Sequence, residues 1–163
     1  MLFAILLSCG SDSSKKEKTT ENETVKTENN VQKNSTTKTI LVFGDSLTAG
    51  YGLDDVNDAF PTIIQTVIDS LSLDYTVVNS GVSGETTAGG KSRINWALNQ
   101  EMDIFILELG ANDGLRGVPL KETRENLQAI IDAVLEKNAA TKIILAGMQL
   151  PPNMGQDYIT EFK

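Results

Sequence analysis

Short apolar runs recur along the chain from residue 39 onward, and polar or glycine-containing segments separate them. These runs predict strands at residues 39–43, 75–79, 103–109 and 142–148. The first run is continuously apolar and ends at a glycine, as in strands covered on both faces. Helical patterns lie between the runs, so we expect a parallel sheet with right-handed crossovers and an α/β fold.

The helical patterns show apolar residues at intervals of three and four. They predict helices at residues 60–71 and 120–137 and a third within residues 87–100, and a further element begins near residue 157. The apolar residues of the first helix lie on a single stripe, which consists of Ile63, Ile64, Val67, Ile68 and Leu71.

Residues 1–38 follow neither pattern. Residues 1–7 are wholly apolar and precede Ser8 and the only cysteine, Cys9, and this run is shorter than the ~20 residues that span a bilayer. It resembles the end of a bacterial lipoprotein signal. That resemblance implies that residues 1–8 are a signal-peptide remnant and that a lipid on Cys9 anchors the protein to a membrane of the bacterial cell envelope, on its periplasmic or outer-membrane side. The alternative is an ordinary secretory leader or a chance apolar start.

Residues 10–38 contain only two apolar side chains, Val25 and Val31. Such a segment buries too little to offset its ordering entropy, so we expect residues 9–38 to be a disordered tether to a domain at residues 39–163. From residue 39 onward, eight basic residues face seventeen acidic ones, and the whole chain has a net charge of −8. This balance argues against a nucleic-acid partner, because the domain would repel phosphates.

Three polar clusters follow the first three predicted strands, at residues 44–46, 81–86 and 110–114. The carboxyl ends of parallel strands meet at one edge of a sheet, where ligands of such folds gather. Ser46 lies directly after a buried strand on a glycine-containing turn, which suits an exposed nucleophile. A serine hydroxyl needs a base, however, and the chain contains no histidine. Either the protein is not a hydrolase, or the base lies outside this sequence; we favour the second interpretation.

The other two clusters contain candidate hydrogen-bond donors. The backbone N–H of Gly84 could face a developing oxyanion, and the amide of Asn112 could do the same. Each residue could also be an ordinary turn residue, and Ser46 could be a helix cap. Ser83 lacks the Gly-x-Ser-x-Gly pattern of a nucleophile elbow.

These clusters resemble the SGNH (GDSL) hydrolase family, in its thioesterase, lysophospholipase and arylesterase-like branch. The matching stretches are FGDSLTAGY at 43–51, VVNSGVSGET at 77–86, ELGANDGLRG at 108–117 and MQLPPNMG at 148–155. The resemblance implies a flavodoxin-like three-layer α/β/α sandwich. It also implies that Ser46 is the nucleophile and that the N–H groups of Ser46 and Gly84 form the oxyanion hole with Asn112. Asp45 matches a position that shapes the turn, and we do not assign it as the triad acid.

The resemblance further implies an Asp-x-x-His block beyond residue 163, after a fifth strand and a last helix that this sequence lacks. We therefore expect a hydrolase of carboxylic esters or thioesters that forms an acyl-serine, whereas this chain alone should be inactive. The alternative is a non-catalytic envelope domain that binds acyl ligands. The acyl chain length and the choice between ester and thioester stay open.

Other classes of function have weaker support. The stretch GGKS at residues 89–92 suggests a phosphate-binding loop, but position 85, where that motif needs glycine, is a glutamate. We therefore expect no nucleotide partner and no cofactor. With no histidine, only an all-oxygen metal site is conceivable, and Asp54, Asp55 and Asp58 fit a solvated acidic loop better.

Overall fold

A four-stranded sheet forms the centre of the part of the chain that the computed structural model describes, which is residues 37–149, 153 and 155–162. Its strands are β1 (Lys38–Gly44), β2 (Tyr75–Gly81), β3 (Ile104–Glu108) and β4 (Lys142–Leu145), in the order β2-β1-β3-β4. Every pairing between these neighbours is parallel. The predicted parallel α/β sheet is therefore confirmed.

The helices include all those that the periodicity predicts. They are α1 (Ser46–Ala49), α2 (Phe60–Ser70), α3 (Thr87–Ala97), α4 (Ala111–Leu115), α5 (Leu120–Lys137) and α6 (Gln156–Phe162), with a 3₁₀ turn at Val56–Asp58. The bounds of α5 agree with the prediction. The sequence did not predict α1 and α4, because four or five residues are too few to show a helical period.

The sheet is covered by helices on both faces. Leu41 and Phe43 of β1 belong to a buried cluster that includes side chains of α3 and α5. Ile40 and Val42 belong to a second cluster, which contains Ile68 of α2. Because successive residues of a strand point to opposite faces, the two clusters lie on opposite sides of the sheet. This is the three-layer α/β/α arrangement that the resemblance implies.

The strand order places the carboxyl ends of β1 and β3 at a topological switch point. From β1 the chain passes to β2 on one side of β1 and then to β3 on the other. In doubly wound folds, the crevice at such a reversal is where ligands bind. Gly44 pairs with Glu108 at this edge, so the segments that follow them begin side by side.

The predicted apolar stripe of α2 is wider than the face that the helix buries. Ile68 is buried and Ile64 is half-buried, but Ile63, Val67 and Leu71 are each more than 50% exposed. Helical spacing identifies the apolar face of α2 but not the width of the layer that packs beneath it.

The fourth strand is shorter and more exposed than its apolar run suggests. It ends at Leu145 rather than near residue 148, and Ile144 and Leu145 are 49% and 54% exposed. Within the described sheet β4 is an edge strand that pairs only with β3. Whether a fifth strand follows stays a prediction.

Residues 1–36 lie outside the described part of the chain. The signal-peptide remnant, the lipidated Cys9 and most of the tether fall there and stay predictions. In the described residues, every helix is too short or too polar to cross a bilayer.

Candidate active site

The turn after β1 presents Ser46 at the start of α1. The carboxylate of Asp45 caps this helix and accepts the Leu47 N–H at 3.0 Å. Glycine is required at position 44, because a Cβ there would lie 2.0 Å from the Thr48 hydroxyl oxygen. Ser46 is half-buried, and its hydroxyl makes no hydrogen bond within the described residues. The predicted position of Ser46 at a strand end is confirmed.

The loop after β2 presents Gly84 with a left-handed backbone. Its φ of +79° disfavours other residues, and its carbonyl accepts a hydrogen bond from the Arg116 guanidinium at 3.0 Å. The N–H of Glu85 donates to the carbonyl of Val82 at 3.1 Å, which closes the turn around Gly84. The N–H of Gly84 has no partner within the described residues. It is therefore a free donor beside the carboxyl end of the sheet.

Asn112 connects the three clusters. It lies in α4, after Gly110, whose φ of +125° turns the chain sharply at the end of β3. Its side-chain Nδ2 donates to Asp45 Oδ2 at 3.0 Å and to the Glu85 carbonyl at 2.9 Å. Asp45 adjoins Ser46 and Glu85 adjoins Gly84, so these two hydrogen bonds bring all three predicted site residues together. A third acceptor would have to share one of these N–H groups.

A buried polar network fixes α4 against its neighbours, and sequence reasoning missed it. The Asp113 carboxylate accepts the Thr87 N–H at 2.8 Å and the Thr87 hydroxyl at 2.5 Å. The amide of Asn126 in α5 donates to the same hydroxyl oxygen at 3.3 Å. Because Asp113 follows Asn112, these hydrogen bonds also restrain the Asn112 side chain.

Glu108 is a buried carboxyl group beneath the Ser46 turn, and sequence reasoning missed it as well. Its Oε2 accepts the Thr48 hydroxyl at 2.8 Å and the Asp45 N–H at 3.4 Å. Its Oε1 is buried and has no partner in the described part of the chain. Burial raises the pKa of Glu108 above its ordinary value of 4.5, and the nearby Asp45 charge raises it further, against the lowering effect of the Thr48 hydrogen bond. The sequence feature that could have identified this buried carboxyl group is a glutamate at the end of the otherwise apolar run of β3.

Glu108→Gln is expected to flatten the pH dependence of stability. The folded state keeps the Glu108 proton over a pH range in which the unfolded state, with a pKa near 4.5, has released it. The free energy of unfolding should therefore fall as pH rises from about 4.5 through the raised pKa of the folded state. Glutamine keeps the shape and does not titrate. Urea unfolding of both proteins between about pH 4 and pH 8 measures the difference.

The control for this prediction is Glu101→Gln, which changes an exposed carboxylate. It should keep the wild-type pH dependence. If wild type and Glu108→Gln lose stability in parallel as pH rises, Glu108 does not hold a proton in the folded state.

The weaker candidates for chemistry have structural explanations. Residues 89–92 lie within α3 and form no loop. Gly90 there is a packing residue, since a Cβ would lie 2.5 Å from the Leu109 side chain. Asp55 caps the 3₁₀ turn by accepting the Asn57 N–H at 2.8 Å. Across the described residues, no group of three or more acidic or cysteine side chains could hold a metal ion.

Comparison with known proteins connects this site to one family. Residues 42–162 match the model of the GDSL-like lipase/acylhydrolase family. The matched segment contains Ser46, Gly84 and Asn112 and extends from β1 to α6.

Three curated relatives match over similar lengths. Esterase TesA of Pseudomonas aeruginosa is 39% identical over 77% of this chain and 61% of its own length. An arylesterase of Vibrio mimicus is 36% identical over 76% of this chain and 60% of its own. Thioesterase 1/protease 1/lysophospholipase L1 of Escherichia coli K12 is 36% identical over 76% of this chain and 57% of its own. The chain thus spans about three fifths of the length of each of these three relatives.

A solved structure matches the fold. AlinE4, described as an SGNH-hydrolase family esterase, superimposes with a TM-score of 0.72 and 41% sequence identity, over 77% of this chain and 67% of its own. The family model, the three relatives and this superposition agree with one another. The chain belongs to the GDSL-like lipase/acylhydrolase family.

Proposed function

We propose that the full-length protein is a serine esterase that hydrolyses carboxylic esters or thioesters through an acyl-serine intermediate. The observation that carries this proposal is the pair of hydrogen bonds from Asn112 Nδ2 to Asp45 and to the Glu85 carbonyl. They hold a serine, a free glycine N–H and an amide donor at the switch point of an α/β sheet. The names of the relatives, which are esterase, arylesterase and thioesterase, support the same reaction class.

The proposed reaction proceeds in two steps. Ser46 Oγ attacks the acyl carbonyl carbon while its proton passes to the histidine predicted beyond residue 163. The carbonyl oxygen becomes an oxyanion, which accepts hydrogen bonds from the N–H groups of Ser46 and Gly84 and from the Asn112 amide, one of whose N–H groups it shares with Asp45 or with the Glu85 carbonyl. The C–O or C–S bond then breaks, and the leaving alcohol or thiol takes the proton. Water, activated by the same histidine, releases the acid and restores the serine.

Exposed apolar side chains in the flanking segments favour an apolar acyl group. They are Leu47, Tyr51, Leu53, Val56 and Val82, each at least 45% exposed. These residues lie in the segments that follow β1 and β2. Exposed apolar groups near a site commonly mark a surface that binds an apolar ligand.

We also propose that a lipid on Cys9 and the tether keep the enzyme at a membrane of the bacterial cell envelope. The support is the apolar run that ends in Ser8 and Cys9 and the polar segment that follows it. Mass spectrometry of the mature protein should show an acylated Cys9 as its first residue. An unmodified Cys9, or a mature protein that begins elsewhere, would contradict the anchor.

The test of the proposed function is hydrolysis by the full-length protein. A series of p-nitrophenyl esters of increasing acyl length and a matching series of acyl thioesters should release acid, and the relative rates would give the substrate preference. The matched control is the same protein ended at residue 163, which should be nearly inactive. Without the base, only about 10³- to 10⁴-fold catalysis over water should remain.

A full-length protein that binds these acyl compounds without hydrolysing any of them would contradict the proposal. That result would instead support the non-catalytic envelope domain.

A further inference from the structure

Arg93 and Glu85 form an ion pair behind the candidate oxyanion hole. Arg93 lies in α3, and its Nε donates to Glu85 Oε1 at 2.7 Å and to Oε2 at 2.9 Å, while Nη2 also contacts Oε2. The two side chains are only 19% and 7% exposed. Burying such a pair costs free energy, because both charges lose contact with water. The cost is offset only if the remaining N–H donors of Arg93 also form hydrogen bonds.

The remaining donors of Arg93 bind the carboxyl ends of two strands. Nη1 donates to the Ser80 hydroxyl at 3.0 Å, and Nη2 donates to the Ser80 carbonyl at 2.9 Å and to the Gly44 carbonyl at 3.4 Å. The guanidinium carbon lies 3.8 Å above the centre of the Phe43 ring. Arg93 is therefore fixed to β1 and β2, and it holds Glu85 relative to both strands.

The backbone of Glu85 lies between the two predicted donors that are not part of the Ser46 turn. Gly84 directly precedes Glu85, and the backbone carbonyl of Glu85 accepts one N–H of the Asn112 amide at 2.9 Å. A shift of Glu85 would therefore displace the Gly84 N–H and the Asn112 amide together. Displacing catalytic groups by about 1 Å can cost two orders of magnitude in rate.

We propose that Arg93 is a positioning residue of the oxyanion hole, acting through Glu85 on Gly84 and Asn112. This inference rests on the proposed function, because it assumes that these donors face a substrate. Arg93 itself has no role in bond breaking. Its planar set of five N–H donors suits this position, because Glu85, Ser80 and Gly44 together present five acceptor oxygens, whereas a lysine has three donors on a single nitrogen.

The kinetic test is Arg93→Met in the full-length protein, assayed with a p-nitrophenyl ester. We expect kcat to fall by roughly 10- to 100-fold with KM nearly unchanged, because the donors act in the transition state. In an Asn112→Ala background the same change should cost much less, since one of the positioned groups is already absent. The matched control is Arg124→Met, which removes an exposed ion pair with Glu161 and should leave kcat unchanged.

Glu85→Gln supplies the test if Arg93→Met does not fold, because it keeps the backbone carbonyl that binds Asn112 and removes the negative charge that binds Arg93. A second measurement does not depend on activity. The side-chain amide NMR signals of Asn112 should shift or broaden in Arg93→Met and not in Arg124→Met.

The outcomes separate this inference from the proposed function. An active wild type with an unchanged kcat in folded Arg93→Met, or with equal losses in both backgrounds, would overturn the positioning role. An inactive wild type would overturn the proposed function, whereas the Asn112 signals would still report whether Arg93 positions the amide.

Discussion

Ser46→Ala in the full-length protein is expected to reduce kcat by about a million-fold, which is the size of the loss when the nucleophile of a serine protease is removed. The hydroxyl is the only group in the site that can form the acyl bond in the proposed reaction. The fold should persist, because the hydroxyl makes no hydrogen bond within the described residues and Asp45, not Ser46, caps α1. Steady-state hydrolysis of a p-nitrophenyl ester measures the loss.

The matched control is Ser83→Ala. Ser83 is an exposed serine next to Gly84, in the neighbouring loop of the same site. This variant should keep a rate close to that of wild type. If Ser46→Ala keeps a rate within about tenfold of wild type, or Ser83→Ala is the variant that loses activity, the assignment of the nucleophile is wrong.

Asn112→Ala is expected to cause the second large loss of kcat. Removal of one oxyanion donor typically costs about 2.7 to 4 kcal/mol, so kcat should fall by two to three orders of magnitude. The substitution also removes a hydrogen bond to the buried Asp45 carboxylate, which should cost about 1 to 3 kcal/mol of stability. Both kcat and the free energy of urea unfolding should therefore be measured for the variant.

The control for Asn112 is Asn95→Ala, which changes an exposed asparagine in the last turn of α3. Neither its kcat nor its stability should change appreciably. A full-length Asn112→Ala protein with the wild-type kcat would remove Asn112 from the oxyanion hole, whatever happens to its stability.

The elements that the sequence predicted well are those with a long or strongly apolar pattern. The run at residues 39–43 is almost completely buried, and α5 has the predicted bounds, because the first is a continuous apolar run and the second shows a clear helical period. The helices α1 and α4 are too short for that. The glycine and asparagine residues of α4 are moreover typical of turns, so its sequence suggested a loop after β3.

The candidate site was predictable in its position but not in its internal connections. Ser46, Gly84 and Asn112 follow three different strands, and the parallel topology brings their segments to one edge. The contacts that hold them arise from tertiary structure. The burial of Glu108 depends on the tertiary fold, which brings the Thr48 hydroxyl within hydrogen-bond distance of its carboxylate. The amide of Asn112 likewise donates to Asp45, which lies 67 positions away in the sequence. No local pattern encodes such contacts.

The sequence also did not predict how many of the apolar residues in a helix or strand are buried. The apolar residues of α2 gave its orientation, but Val67 is half exposed because burial depends on what packs against the outer edge of the helix. The same holds for β4, whose apolar Ile144 lies on an edge strand of the described sheet. Apolar residues at a surface are common, so their pattern alone does not define a core.

The most direct measurement is covalent labelling of the full-length protein with a fluorophosphonate, followed by digestion and mass spectrometry. We expect one phosphonyl group on Ser46, with labelling slowed by an ester substrate and abolished in the form that ends at residue 163. A protein that never labels, or one that labels at Ser83, would contradict it.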